Sequence, residues 1–191
     1  MTSRAAPTPK LWSRAEYQRL GELGVFANSE RVELIEGMIV AMSPQNLADT
    51  RSVSRATTLL VKLFSDTHYV RVQCALFLNA RSEPEPDFAL VAHNLVDGPQ
   101  VQDNPSFADL VIEVSDSSLK IDQKTKQALY ASASLPEYWI VNLIDQQLEV
   151  YQKPVRGGRK ACYESRTILS LDRTVAPLFA PHIQVSVAGL F

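Results

Sequence analysis

The chain has little of what would mark it as secreted, zinc-bound or membrane-embedded. Its two cysteines, Cys74 and Cys162, sit in no CxxC or CxxH spacing, so a thiolate zinc site is not expected. Both fall in stretches that read as strands, where a thiol acts as a small buried hydrophobe in a reducing compartment. No apolar run approaches the roughly 18 residues a membrane helix needs. Met1 to Lys10 lacks the apolar segment of a secretory leader. A cytoplasmic protein with no membrane partner is the expectation. A basic excess is also missing: 19 Lys and Arg stand against 21 Asp and Glu, a net charge of −2. That counts against a strong non-specific nucleic-acid binder. It does not exclude a nuclease, whose acids gather at a metal while a local basic rim meets phosphates. His68, His93 and His182 share no motif and read as surface or satisfied residues. There is no internal repeat and no heptad run.

What is present fits a folded domain. Apolar residues make up 46% of the chain and charged residues 21%, the balance of a globular protein. The length suits one domain, with residues 1–10 a flexible tail and 11–191 a single unit. Ser13-Arg14-Ala15-Glu16 is a capping box whose helix should end at Gly21. Arg31–Ile35 and Met38–Met42 flank a hairpin turn at Glu36-Gly37, and Pro44 stops the second strand. Asn46 caps an expected helix over Leu47–Ser65, with Val53, Ala56, Leu60 and Phe64 on one face.

Tyr69–Leu78 alternates like a half-buried strand, and Asp87–Val91 is the next. His93–Phe107, with Gly98, Pro99, Asn104 and Pro105, reads as a loop. Leu110–Val114 is apolar without alternation, the mark of a central strand covered on both faces. Ser117 or Ser118 should cap a helix reaching about Ser132, ended by Pro136. Tyr138–Leu143 and Gln147–Tyr151 form a hairpin turning at Ile144-Asp145-Gln146. Gly157-Gly158 leads into a strand near Ala161–Leu169, and Ile183–Phe191 adds a strand or short helix. The order implies a mixed sheet with few helices, α/β or α+β.

Chemistry concentrates in the middle. Asp87, after Glu85-Pro86, and Glu113, inside Asp109-Leu110-Val111-Ile112-Glu113-Val114, lie at the edges of two short apolar runs. Neighbouring strands would bring the two acids close, and carboxylates that close repel unless a cation lies between them. Hard oxygens suit magnesium, which takes one or two carboxylates, keeps several waters and meets substrate phosphates. The pair is a candidate divalent-metal site for phosphodiester chemistry. The competing reading of Asp87 is a residue fixed by the proline before it. That of Glu113 is a strand-end acid facing solvent, disfavoured because burying a carboxylate among apolar neighbours is costly without a partner.

The combination of Arg31-Val32-Glu33-Leu34-Ile35-Glu36-Gly37, Met42-Ser43-Pro44, Pro86-Asp87 and the block Asp109–Tyr151 resembles the putative restriction endonuclease family of bacterial proteins. Within that block, Ser117-Ser118, Asp122, Lys126, Leu129-Tyr130-Ala131 and Leu135-Pro136-Glu137-Tyr138-Trp139-Ile140-Val141 carry the likeness. The resemblance implies a PD-(D/E)XK nuclease fold, a restriction-endonuclease-like central mixed β-sheet flanked by helices. It implies magnesium, or manganese, held by Asp87, Glu113 and the Val114 carbonyl. The motif lysine is absent after Glu113-Val114, where Ser115 stands, and the family pattern places it at Lys126 instead. Glu33 matches a recurrent upstream acid.

Two further departures stand out. Relatives commonly carry a histidine after Met-Ser-Pro, where this chain has Leu47-Ala48-Asp49-Thr50. Relatives also show Gly-Val or Gly-Ile where this chain has Ser134-Leu135, read as a neutral change.

The resemblance implies an endonuclease hydrolysing DNA; a homodimer is the default expectation, since cutting both strands needs two sites and twofold symmetry is the commonest assembly. RNA as substrate and a non-catalytic nuclease fold serving binding or assembly stay open at this point. So does the lysine on periodicity alone, because Lys120 and Lys124 share the helix. On a helical wheel Lys126 shares a stripe with Asp122, Leu129 and Ala133, bordering the face of Ile121, Thr125, Ala128 and Ser132. An i,i+4 pair with Asp122 is its bland alternative. Glu36 reads as hairpin polarity. Tyr138-Trp139 reads as core rather than a stacking platform, and Arg156, Arg159 and Lys160 as a solvated loop tip.

Overall fold

A computed structural model describes residues 8–26, 31–95, 104–156 and 161–191. The first seven tail residues, the Gly98-Pro99 stretch and the Gly157–Lys160 tip lie outside them. Helix α1 (Arg14–Glu22) opens on the capping box: Ser13 Oγ accepts from the Glu16 N–H while the Glu16 carboxylate accepts from the Ser13 N–H. It runs past Gly21 to Glu22, and Gly24, at φ 68°, is the residue that leaves the helix. The capping box fixed the start, but either glycine was compatible with the end.

Strands β1 (Val32–Ile35) and β2 (Met38–Ala41) form the expected hairpin. Its turn residues, Glu36 and Gly37, have φ of 50° and 83°, the two left-handed positions of a type I′ turn. Gly37 is needed for space as well: a Cβ there would meet Leu11 Cβ at 2.8 Å. Its N–H donates to the Arg81 carbonyl and Leu34 bridges Glu83, so the hairpin is docked on the chain just before Asp87. Helix α2 (Leu47–Phe64) is capped by Asn46 as expected and buries Ser52, Ala56, Leu60 and Phe64.

The main sheet has six strands in the order β3 (His68–Val72), β4 (Phe88–Ala92), β5 (Leu110–Ser115), β6 (Glu137–Asn142), β7 (Gln147–Val155) and β8 (Cys162–Ser170). Among the described residues only β5 and β6 pair in parallel, joined by the helical crossover between them. Strand β5 is buried along its whole length, as its unbroken apolar run required. One face packs on α2 and the C-terminal segment around Phe88, Ile112, Val114 and Trp139. The other, with Ala89, Val111, Tyr138 and Ile140, packs on the crossover through Tyr130 and Ala131. The end of the chain supplies both expected elements: β10 (Val185–Ser186), paired with β9 (Thr174–Val175), and a 3₁₀ turn over Val187–Leu190.

Several expectations need correction. The strand expected over Tyr69–Leu78 ends at Val72, because Gln73 turns the chain with φ 51°. Cys74 therefore lies outside the strands and is half-buried, and Cys162, although in β8, is exposed; neither is a core residue. The crossover helix is not uniform. It comprises α3 (Leu119–Ile121), a π-helical turn over Asp122–Lys126 and α4 (Gln127–Ser132). Ser118 precedes it without a side-chain cap, and its hydroxyl donates to Asp122 instead.

Ser134 is not a neutral change. It sits at φ 58°, in a Schellman closure where the Leu135 N–H donates to the Tyr130 carbonyl and the Ser134 N–H to that of Ala131. Glycine is favoured at that position.

Candidate active site

Strand register brings the two motif acids together. Phe88 pairs with Ile112 and Ala89 with Val111, so Asp87 stands opposite Glu113, one step further along. Alternation puts both on the sheet face that carries Ala89 and Val111, the face covered by the crossover helix. The Asp87 N–H approaches Glu113 Oε2 at 3.4 Å, and the Val114 N–H donates to Asp87 Oδ2 at 2.9 Å. Asp87 Oδ1 accepts from Gln73 Nε2 at 3.0 Å. The kink at Gln73 thus orients Asp87, a role that the alternation of Tyr69–Leu78 concealed.

Lys126 enters from the crossover helix. Its side chain is buried, with Nζ 3.0 Å from Glu113 Oε1 and 3.1 Å from Glu33 Oε1. Lys120 and Lys124 are exposed. The border stripe of the helical wheel is in fact the buried one: Asp122, Lys126 and Leu129 point inward, whereas Ile121 and Thr125 face out. The π turn spans this change of phase. A pair between Lys126 and Asp122 is not formed; Asp122 Oδ2 accepts instead from Ser115 Oγ at 2.7 Å and Ser118 Oγ at 2.6 Å.

Glu33 arrives from the hairpin. Val32 and Leu34 flank it, and the pairing of Leu34 with Glu83 docks that edge of the hairpin on the segment leading to Asp87. Tyr130, absent from the expected site, donates to Glu113 Oε1 at 2.7 Å. Its place four residues after Lys126, on the same helix face, is the signal that would have found it.

Burial governs the electrostatics. Glu113 is 4% exposed. Desolvation raises its carboxyl to about 8 against the pull of Lys126, with Asp122, Asp87 and Glu33 adding repulsion. Glu33 and Asp122 are pushed up by the same burial. Desolvation alone would depress the Lys126 ammonium, but Glu113, Glu33 and Asp122 outweigh it and hold it above the usual range. Burial keeps Tyr130 protonated, so it is a donor. One ammonium therefore faces three buried acids and cannot balance all of them in ionised form.

Asp87, Glu113, Glu33, Asp122 and Lys126 line one cleft, together with Val114, Asp49, Arg31 and the Met42-Ser43-Pro44 lip. Glu33 Oε2 and Asp122 Oδ1 are buried there without a hydrogen-bond partner among the described residues. Such oxygens are costly unless satisfied, and a hydrated hard cation is one group that would satisfy them. Among the described residues no three His, Cys, Asp or Glu side chains form a ready-made cage. The oxygen donors that are present, all carboxylates, are of the kind that hard divalent cations take. His68 is satisfied away from the cleft, by Asp109 and Thr67, and Tyr138 and Trp139 are fully buried core.

A family model described as Uma2, putative restriction endonuclease, matches residues 14–188. The chain belongs to this family. A Uma2 chain should share its architecture with solved nuclease-like folds, and it does. A structure described as a putative nuclease belonging to DUF820 from Anabaena variabilis superposes with a TM-score of 0.68 at 16% identity, covering 89% of this chain and 94% of that one. At that identity the likeness establishes the restriction-endonuclease-like fold. Among curated proteins none matches the chain. No helix among the described residues is long and apolar enough to cross a membrane.

Proposed function

We propose that this Uma2 chain is a metal-dependent endonuclease that hydrolyses DNA phosphodiester bonds in the cytoplasm as a homodimer. The observation that carries the reading is the convergence on one sheet face of Asp87, Glu113 and a buried lysine, Lys126, held 3.0 Å from Glu113. Asp87, Glu113 and the Val114 carbonyl would hold magnesium or manganese, with Glu33 completing the outer shell through water. The bound ion would polarise a phosphoryl oxygen and lower the pKa of a coordinated water.

The protein's own groups divide the remaining work. Gln73 and the Val114 N–H fix the Asp87 carboxylate. Tyr130 fixes Glu113. Lys126, charged across the physiological range, offsets negative charge developing on the phosphate or orients the attacking water. The charge state of Glu113 is the variable element, because a metal ligand must be deprotonated.

Purified protein with magnesium or manganese should nick or linearise plasmid DNA, and Asp87→Ala should abolish the cutting while the fold is retained. Equal cleavage by both would mark a contaminant. Metal binding without cleavage of DNA or RNA would favour a non-catalytic binding or assembly module. Cleavage of RNA alone would change the substrate and leave the site intact.

A further inference from the structure

The cleft cannot by itself hold a polyanion. Seven carboxylates line it against two cations, Arg31 and Lys126, and Lys126 is already committed to Glu33 and Glu113. One divalent ion offsets only part of this charge. The phosphates flanking the cleaved bond must therefore meet cations elsewhere.

Helix α2 leads from the cleft to such cations. Its first turn belongs to the cleft: Asp49 lines it, and Asn46 Nδ2 donates to Asp116 Oδ2 at 2.7 Å. The following turns expose Arg51, Arg55, Thr58 and Lys62. At 3.6 residues per turn these four fall within about 60° of one another, and Arg51 and Lys62 stand about 16 Å apart along the axis. No acid occurs in the sequence between Asp49 and Asp66. Arg55 Nη1 donates to the main-chain oxygen of Phe191 at 2.6 Å. Among the described residues no ion pair or hydrogen bond engages the side chains of Arg51 or Lys62.

Two grooves adjoin along this stripe, sharing Arg55 and Ala188. One is lined by Arg51, Leu171 and Phe191, the other by Leu59, Lys62 and Gly189. Together they form a trough lined by the basic side chains Arg51, Arg55 and Lys62 and by apolar residues such as Leu59, Leu171 and Phe191.

We propose that this trough is the track for the nucleic-acid backbone flanking the cleaved bond, with Arg51 and Lys62 meeting its phosphates. The inference rests on the nucleic-acid substrate proposed above. A backbone supplies regularly spaced negative charge to the stripe, and the apolar lining suits its sugar faces.

The test is the affinity of a labelled DNA duplex across a salt series, with calcium in place of magnesium. Wild type is compared with Arg51→Ser/Lys62→Ser and with a control, Lys120→Ser/Lys124→Ser, which removes the same charge from another exposed helical surface. Cleavage is assayed in parallel. The stripe variant should bind about tenfold or more weakly, with a salt slope reduced by about 2, close to one per lost phosphate contact. The control should change neither.

Unchanged affinity and slope in the stripe variant would overturn the track. So would an equal effect in the control, which would mean that only net charge matters. Cleavage retained with an unchanged slope sinks the track and leaves the nuclease reading. Stripe-dependent binding without cleavage does the reverse. A wild type that binds neither the DNA duplex nor a labelled RNA of the same length ends both.

Discussion

The Lys126 ammonium lies 3.0 Å from Glu113 Oε1, and both side chains are buried. Their contact ties the crossover helix to the central strand and sets the charge state of the cleft. It is also incomplete compensation, because the same ammonium serves Glu33 and lies near Asp122. Four expected outcomes follow from this arrangement and its surroundings.

The Glu113 carboxyl is raised to about 8 from an ordinary 4.5. An acid whose folded-state pKa is raised holds its proton more tightly when folded. Its stabilising contribution is full below pH 4.5 and is lost as pH rises through about 8. Metal-free protein should therefore lose stability across that window, and manganese should restore it at the upper end. Denaturant midpoints at several pH values check this, and Glu113→Gln should flatten the profile. Identical profiles for wild type and variant would refute the assignment.

Divalent-ion binding measured by calorimetry should weaken in Asp87→Asn and in Glu113→Gln, which keep shape and remove a ligand charge. Gln73→Asn should cost roughly tenfold in affinity, the usual scale for a residue that orients a ligand. Asparagine tolerates the left-handed backbone at Gln73 but is too short to reach Asp87 as glutamine does. Wild-type affinity in all three would place the ion elsewhere.

Lys126→Met should have two effects. It leaves buried carboxylates unpaired, so unfolding at pH 8 should come about 3–5 kcal/mol sooner. The loss should be smaller at pH 5, where those acids can take up protons. Under conditions where the variant is folded, cleavage should fall by a factor of about 10² or more. A pH-independent loss of stability would show that packing rather than charge accounts for the effect.

Ser134→Gly should stabilise the protein by about 0.5–1 kcal/mol. The gain comes from relieving a non-glycine residue in the left-handed region, reduced by the greater freedom of glycine in the unfolded chain. Thermal melts suffice to measure it. A lower melting temperature would mean that the serine side chain has a stabilising contact.

Local rules in the sequence determined a good deal. The Asn46 cap and the apolar spacing of α2 located that helix. Glu36-Gly37 specified the hairpin turn, and the unbroken run around Glu113 identified a strand covered on both faces. Each is decided within a few residues, by capping, turn geometry or periodicity. Charge at the edge of a buried run also drew attention to Asp87 and Glu113, but it was the family resemblance that singled them out as a candidate site.

Tertiary structure decided what those rules leave free. Strand pairing set Asp87 opposite Glu113. Docking of the hairpin on Glu83 brought Glu33 to a lysine 93 residues away. The π turn over Asp122–Lys126 accompanies a buried stripe that includes Lys126 and leaves Lys124 exposed. A π turn is rare because its hydrogen bonding is less favourable than that of an α-helix, so it persists only where contacts from elsewhere hold it. Here these include Ser115 on β5, which donates to Asp122, and Glu149 on β7, which accepts from Gln123 at 2.8 Å. Those partners come from distant parts of the chain, and no periodicity read along the helix contains them.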